Sequence, residues 1–224
     1  MRHLIITLAT IIAASMFSGA WAKEGDYTDP YEGYDEFVFM EYTLDENIAT
    51  PAVPKKEKKA VQSYISKVKD RLKGLRTGRE KTTYTFDLIR DNEVIIVTIP
   101  TDDLFLPNDT VLSARGKANL ERLVPFFFTD PDMYKVLFAV NTDDSGSVSY
   151  LENLSEQRTN EIYGWMIDNR NIADNLIFIP YSNGPEEPLY PNDSMARRAG
   201  NRRLEIFIIP GPKMIQMAHE GKLK

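Results

Sequence analysis

Asn141-Thr142-Asp143-Asp144-Ser145-Gly146, followed by Leu154-Ser155-Glu156-Gln157-Arg158, is the stretch on which the reading of this chain turns. Residues 134–140 before it form a continuous apolar run suited to a central strand. Asp143 therefore falls in a short loop after a buried strand. Arg158 falls fifteen residues later, on a helix predicted over 151–167. An acid and a base at one loop–helix junction can grip a zwitterion. The carboxylate accepts from an ammonium, and the guanidinium donates two parallel hydrogen bonds to a carboxylate.

Working outward, Tyr84, Phe86 and Leu88 alternate, Arg90-Asp91-Asn92 has turn composition, and 94–99 is a β-branched run, so the segment reads as a hairpin. Asp109-Thr110 precedes a helix predicted over 112–127, with Asp109, Thr110 and Ser155 assigned to caps or local hydrogen bonds. A strand over 176–179, a Pro- and Gly-rich loop over 181–192, a short helix over 195–201 and a last strand over 204–209 complete the order. Alternating strands and helices imply an α/β (α+β) sandwich: one mixed sheet with helices packed on one face.

The N-terminal part differs in composition. Arg2, the apolar run 4–17 and Ala20-Trp21-Ala22 form a secretory signal peptide over residues 1–22, too short for a comfortable membrane span. Residues 23–54 are acidic and tyrosine-rich and read as a flexible arm and linker, with Phe37-Val38-Phe39-Met40 able to dock as one strand. Residues 55–80 form a basic amphipathic helix whose apolar face carries Val61, Tyr64, Ile65, Val68, Leu72 and Leu75. Its heptad-like spacing is compatible with a homodimer, and its charge with pairing to the acidic arm. A compact domain over 81–212 and a tail over 213–224 follow.

Composition excludes several functions. The chain has no cysteine and only two histidines, His3 and His219, which leaves no thiol nucleophile, disulfide framework or histidine-based metal site. A formal net charge of −6 is a poor match for nucleic acid. No cofactor motif is present, and an exported binding protein rather than an enzyme is expected.

Several ordered pieces identify a resemblance to the C-terminal OmpA-like domain, the peptidoglycan-binding module of OmpA, Pal and MotB-type proteins. Leu104-Phe105 is similar to a Leu-Phe at the end of that family's second strand. Asn141 to Gly146 resembles its His-Thr-Asp-x-x-Gly loop, and Leu154-Ser155-x-x-Arg158 its Leu-Ser-x-x-Arg. Pro188 with Asn192, then Arg198 and Asn201-Arg202-Arg203-Leu204-Glu205-Ile206, resemble the remaining motifs. The resemblance covers about half of the chain. It implies binding of the diaminopimelate in a peptidoglycan stem peptide, with Asp143 on the ammonium and Arg158 on the carboxylate. Thr142 and Asn141 would complete the cradle, and Arg202 would line or support it. It implies a periplasmic protein that links an envelope partner, held through residues 23–76, to the cell wall or outer membrane.

Two positions depart from that pattern. Leu151 stands where the family has Asn, with Asn153 as a substitute candidate, and Asn141 stands where it has His or Tyr. Leu151 motivates a second reading, a protein–protein scaffold whose wall site has decayed. The loop also spells an EF-hand-like calcium sequence through Asn141, Asp143, Ser145, Gly146, Val148 and Glu152. Against it stand the Asn at the first position, the strand rather than helix before the loop, and the motifs it leaves unexplained. Asp143 and Glu152 as an acid–base pair for hydrolysis find no supporting motif.

Overall fold

The computed structural model describes residues 42–50, 52–74, 84–124, 130–170 and 176–224. The signal peptide expected over 1–22, most of the expected arm and the strand expected at 37–40 lie outside the described residues.

Five strands form one mixed sheet in the order β1-β2-β5-β3-β4. They are β1 (Thr85–Ile89), β2 (Val94–Pro100), β3 (Tyr134–Asn141), β4 (Ile177–Gly184) and β5 (Arg203–Pro210). Every pairing is antiparallel except β3 with β4. The helices are α1 (Leu44–Ala49), α2 (Lys58–Gly74), α3 (Ala114–Glu121), α4 (Val148–Arg170), α5 (Met195–Asn201) and α6 (Pro212–His219).

Strand alternation divides the apolar residues between two faces. Val97, Val136, Phe138, Leu204 and Ile206 point to the larger core, where they meet Val61, Ile65, Val68 and Leu72 of α2 and Ile162 and Met166 of α4. The heptad-like face of α2 is thus buried in its own domain, which removes it as a dimer surface. Leu137, Ala139, Phe207 and Ile209 point to the other face, where Leu44 and Ile48 of α1 and Ile215 of α6 cover them. The sheet therefore carries its main helices on one face and a smaller cover on the other.

Several boundaries differ from the sequence-based expectation. Helix α3 begins after Ser113, whose Oγ accepts from Gly116 N, so Asp109 is not the cap; it closes a local turn by accepting from Thr110 N and Val111 N. The loop expected from 181 starts only after Gly184, because β4 stays paired with β3 to that point. Residues 212–219, assigned mostly to the tail, form a helix because Met214 and Ile215 are apolar and both bury completely. The hairpin turn is as expected, with Arg90, Asp91 and Asn92 all at positive φ (49°, 53° and 65°). Lys58 of α2 braces it through Asp91, 2.9 Å, and Glu93, 3.1 Å.

Helix α1 lies within the segment expected to be a flexible arm, but a capping box through Thr43 and Glu46 starts it and a lysine holds its end. Lys135 of β3 is fully buried, and its Nζ donates to Asn47 O (2.8 Å), Asn47 Oδ1 (2.7 Å) and Thr50 O (3.1 Å). Arg90 donates to Ile48 O beside it. Two cations thus satisfy carbonyls that a helix C-terminus leaves open. Burial, with the charge of Arg90 adding, pushes Lys135 down from 10.5 to about 7. Across that window the unfolded chain holds the extra proton, so this group makes folding more favourable as pH rises from about 7 to 10.5. Lys135→Met is expected to cost about 1–3 kcal/mol by orphaning the carbonyls, more at pH 9 than at pH 7. Thermal melts at the two pH values and hydrogen exchange over residues 44–50 check this.

Candidate functional site

The site forms where three strands end together. Strand β3 runs out into the Asp143 loop. Strand β5 starts beside it, with Arg203 paired to Asn141, and β2 ends against β5, with Pro100 paired to Arg203. Thr101 N donates to Arg202 O, and the 3-10 turn Thr101–Asp103 then presents Asp102. Antiparallel pairing thereby brings Asp102, Asp143 and Arg202 to one end of the sheet.

These three side chains form a continuous ion-pair chain. Arg202 Nη1 donates to Asp143 Oδ2 at 2.7 Å, while its Nε and Nη2 donate to Asp102 at 3.1 and 2.7 Å. Asp143 Oδ1 accepts from Ser145 N at 3.0 Å and from Ser145 Oγ at 2.5 Å. Burial pulls the Asp143 carboxyl upward, but the bonds from Ser145 and Arg202 outweigh it and hold the group below its usual range. The hydrogen bond to Asp102 leads in raising Arg202, so both groups are charged at neutral pH. Beside them a hollow of about 470 Å³ opens between Asp143, Ser145 and Arg202 on one side and Met195, Arg198 and Ala199 of α5 on the other.

Arg158 stands apart from this chain. No ion pair joins it to Asp143; the cation on Asp143 is Arg202. Its guanidinium lies over the Phe105 ring at 4.8 Å, and its Nε donates to Asp109 O at 2.9 Å. The residue is only 5% exposed. Its Nη1 and Nη2 have no hydrogen-bond partner among the described residues. Burial lowers its proton affinity, the negative charge of Asp102 opposes that, and the positive charge of Arg202 adds to it. Neither nitrogen is among the enclosed polar atoms that lack a partner, so both reach the surface, where two open donors can bind a planar anion.

Ser155 explains why Arg158 is where it is. Ser155 lies inside α4 rather than at its cap. Its Oγ donates to Val140 O at 2.8 Å and accepts from Ser182 Oγ and Gly184 N. The hydroxyl pins α4 to the ends of β3 and β4, and Arg158 follows one turn later. Asn201 does similar work: it holds Tyr190 N and O and Asn192 Oδ1, fixing the loop before α5.

Of the expected site residues, the structure brings Asp143 and Arg202 into contact and places Arg158 nearby. Thr142 is buried, with Oγ1 unpartnered among the described residues and its N–H on Gly184 O. Asn141 is a correction. Strand β3 extends through it, so alternation turns its side chain to the opposite face, where Nδ2 donates to Glu205 Oε2 and Oδ1 accepts from Asn183. That placement also breaks the calcium-loop sequence, since its first ligand faces away and Asp143 takes Arg202. Leu151 is buried, and Asn153 pairs with Gln157 rather than substituting at the site. Asp102 was missed. Its signal was an acidic pair directly after the β2 run, but only the β2–β5 pairing shows that it reaches Arg202.

The chain is thus an α+β domain built on one mixed five-stranded sheet, and that fold is shared with solved structures. A MotB-like protein from Desulfovibrio vulgaris shares the fold at a TM-score of 0.58 and 20% identity, over 69% of this chain and 95% of that one. Looser likenesses extend to the cell wall anchor of the T6SS from Pseudomonas aeruginosa, with TM-score 0.44, 21% identity and coverage of 67% and 96%. They also extend to the peptidoglycan-associated lipoprotein from Burkholderia pseudomallei, with TM-score 0.41, 21% identity and coverage of 47% and 86%. No protein-family model and no curated protein matches the sequence.

Proposed function

We propose that the chain is an exported, non-enzymatic protein that attaches to peptidoglycan through the diaminopimelate of a stem peptide. The observation that carries this reading is Arg158, a buried guanidinium with both terminal nitrogens unengaged. A ligand carboxylate there takes two charge-assisted bonds from nitrogens that otherwise face solvent. The ligand ammonium goes to Asp143, whose oxygens keep lone pairs beyond those used by Ser145 and Arg202. Arg202 and Asp102 hold that carboxylate in place. Diaminopimelate carries both groups on its far carbon, whereas lysine carries only the ammonium. The N-terminal segment links the domain to an envelope partner in the periplasm. Among the described residues, no helix is long and apolar enough to cross a membrane.

The test is co-sedimentation of the chain lacking residues 1–22 with purified sacculi of two chemistries. Sacculi with diaminopimelate stems are expected to pellet the protein, and sacculi with lysine stems to leave it in solution. Equal pelleting by both removes the role given to Arg158. No pelleting by either favours the scaffold reading, in which the fold serves only protein contacts.

A further inference from the structure

We infer that the outward face of α2 is a docking surface for an anionic lipid bilayer, held by lysine ammonium groups on headgroup phosphates. This inference stands on α2 alone and does not depend on the stem-peptide reading. Residues 55–73 carry eight lysine and arginine side chains against two carboxylates, a net +6 within a chain of formal net charge −6. Helix α2 buries Val61, Ile65, Val68 and Leu72 in the main core, so its period turns Lys59, Lys67 and Lys73 outward. Lys55 and Lys56 are exposed just before it. None of these five lysines has an ion pair among the described residues; Lys58, braced on the hairpin turn, does. Asp70 is the single exposed carboxylate in the stretch.

The fold leaves this face open. Helix α1 docks on the opposite side of the sheet, where Tyr42 O accepts from Tyr181 OH of β4. The acidic segment before Tyr42 therefore joins the domain on the side away from the lysines. The candidate site is also distant. Lys58 meets Asp91 in the β1–β2 turn, and Tyr64 meets Tyr134 at the start of β3, whereas the Asp143 loop follows the end of β3. Eight residues of strand separate the two ends, about 25 Å. A bilayer against α2 leaves the Asp143 end free.

The chemistry of the face selects lipid over a protein partner. Protein interfaces are anchored by aromatic and apolar side chains and are depleted in lysine. None of the exposed large apolar side chains among the described residues belongs to α2. Mobile headgroup phosphates require no fixed geometry, and they suit ammonium point charges on flexible stems. The seventeen residues of α2 form a rod about 25 Å long that can lie along such a surface. With no exposed apolar side chain to insert, the contact is electrostatic and peripheral.

The experiment is flotation of the chain lacking residues 1–22 with two kinds of vesicle: phosphatidylcholine alone, and phosphatidylcholine with an equal part of phosphatidylglycerol. At low salt the protein is expected to float with the anionic vesicles at least about tenfold more than with the neutral ones, and to be released at about 0.5 M salt. Each lysine near the surface contributes about fivefold, so Lys59→Gln/Lys67→Gln/Lys73→Gln is expected to cut the partition about 100-fold. Asp70→Asn is expected to raise it about fivefold. Glu186→Gln, an equal change of net charge on the exposed loop before α5, is expected to leave it unchanged. Circular dichroism checks each fold; Lys55→Gln/Lys56→Gln, outside the helix, tests the same face with an expected loss of about 25-fold should the triple variant not fold. No flotation with anionic vesicles overturns the proposal, as does equal flotation with neutral ones. Folded lysine variants that float like wild type also overturn it. Equal gains from Asp70→Asn and Glu186→Gln overturn it too, because they assign binding to net charge rather than to this face.

Discussion

Arg158→Ala is expected to abolish retention on diaminopimelate-type sacculi, with affinity falling about 30- to 150-fold. The figure corresponds to about 2–3 kcal/mol for two charge-assisted hydrogen bonds. The residue sits on Phe105 and Asp109 O, so Ala also removes local packing and a modest share of stability. Circular dichroism and a thermal melt separate the two effects, because Arg158 packs on Phe105 at the edge of the main core. Arg158→Lys sharpens the test. It keeps the charge and loses the planar fork, so it should recover only a minority of the affinity. A folded Arg158→Ala that still pellets with sacculi removes the carrying observation.

Gly116→Ala is expected to produce a large stability loss for a one-methyl change. A Cβ there would stand 2.2 Å from the Leu104 carbonyl oxygen and 2.8 Å from its Cα. Those are backbone atoms, so no side-chain rotation relieves the clash. The Leu104 carbonyl already accepts from Ser113 N and Ser113 Oγ, which anchor the start of α3. The substitution must push α3 away from the 104–112 segment. Overpacking of this kind costs about 2–3 kcal/mol, or about 5–10 °C in Tm for a domain of this size. The same segment carries Phe105 and Asp109 under Arg158, so sacculus binding should weaken along with the melt. Gly164→Ala is the control: nothing lies within 4 Å of its Cβ, in the interior of α4. It should be neutral or stabilising by about 0.5–1 kcal/mol.

The two substitutions bear on the same piece of architecture. The contacts of Arg158 with Phe105 and Asp109 O require α4 and the 104–112 segment to meet at a fixed distance. Ser155 sets one side of that distance and Gly116 the other. The Leu-Ser-x-x-Arg spacing is therefore a positioning device as much as a signature. Its serine orders the helix, and its arginine uses the order.

The elements were legible where their signal is local. The continuous apolar run at 134–140, the α2 stripe of Val61, Ile65, Val68 and Leu72, and the turn at Arg90-Asp91-Asn92 all follow from neighbours a few positions apart. The loop position of Asp143 and the helix position of Arg158 were legible for the same reason, since each follows from a local element, but the ion pair on Asp143 is made by Arg202. Boundaries were less legible. Helix α6 and the extension of β4 depend on apolar burial and strand pairing contributed by distant segments, as does the short helix α1. Its place rests on Lys135, 88 positions away from Asn47.

Chain order alone was enough for the alternation of strands and helices, the acid in the loop and the base on the helix, because hydrophobic period and loop length act over a few residues. Tertiary pairing decided the rest. Which face of the sheet Asn141 takes depends on one residue of strand length, since each step along a strand reverses the side chain. That Arg202 rather than Arg158 neutralises Asp143, and that Asp102 shares it from 100 positions away, follows from β5 lying between β2 and β3. No local pattern carries that information; strand register does.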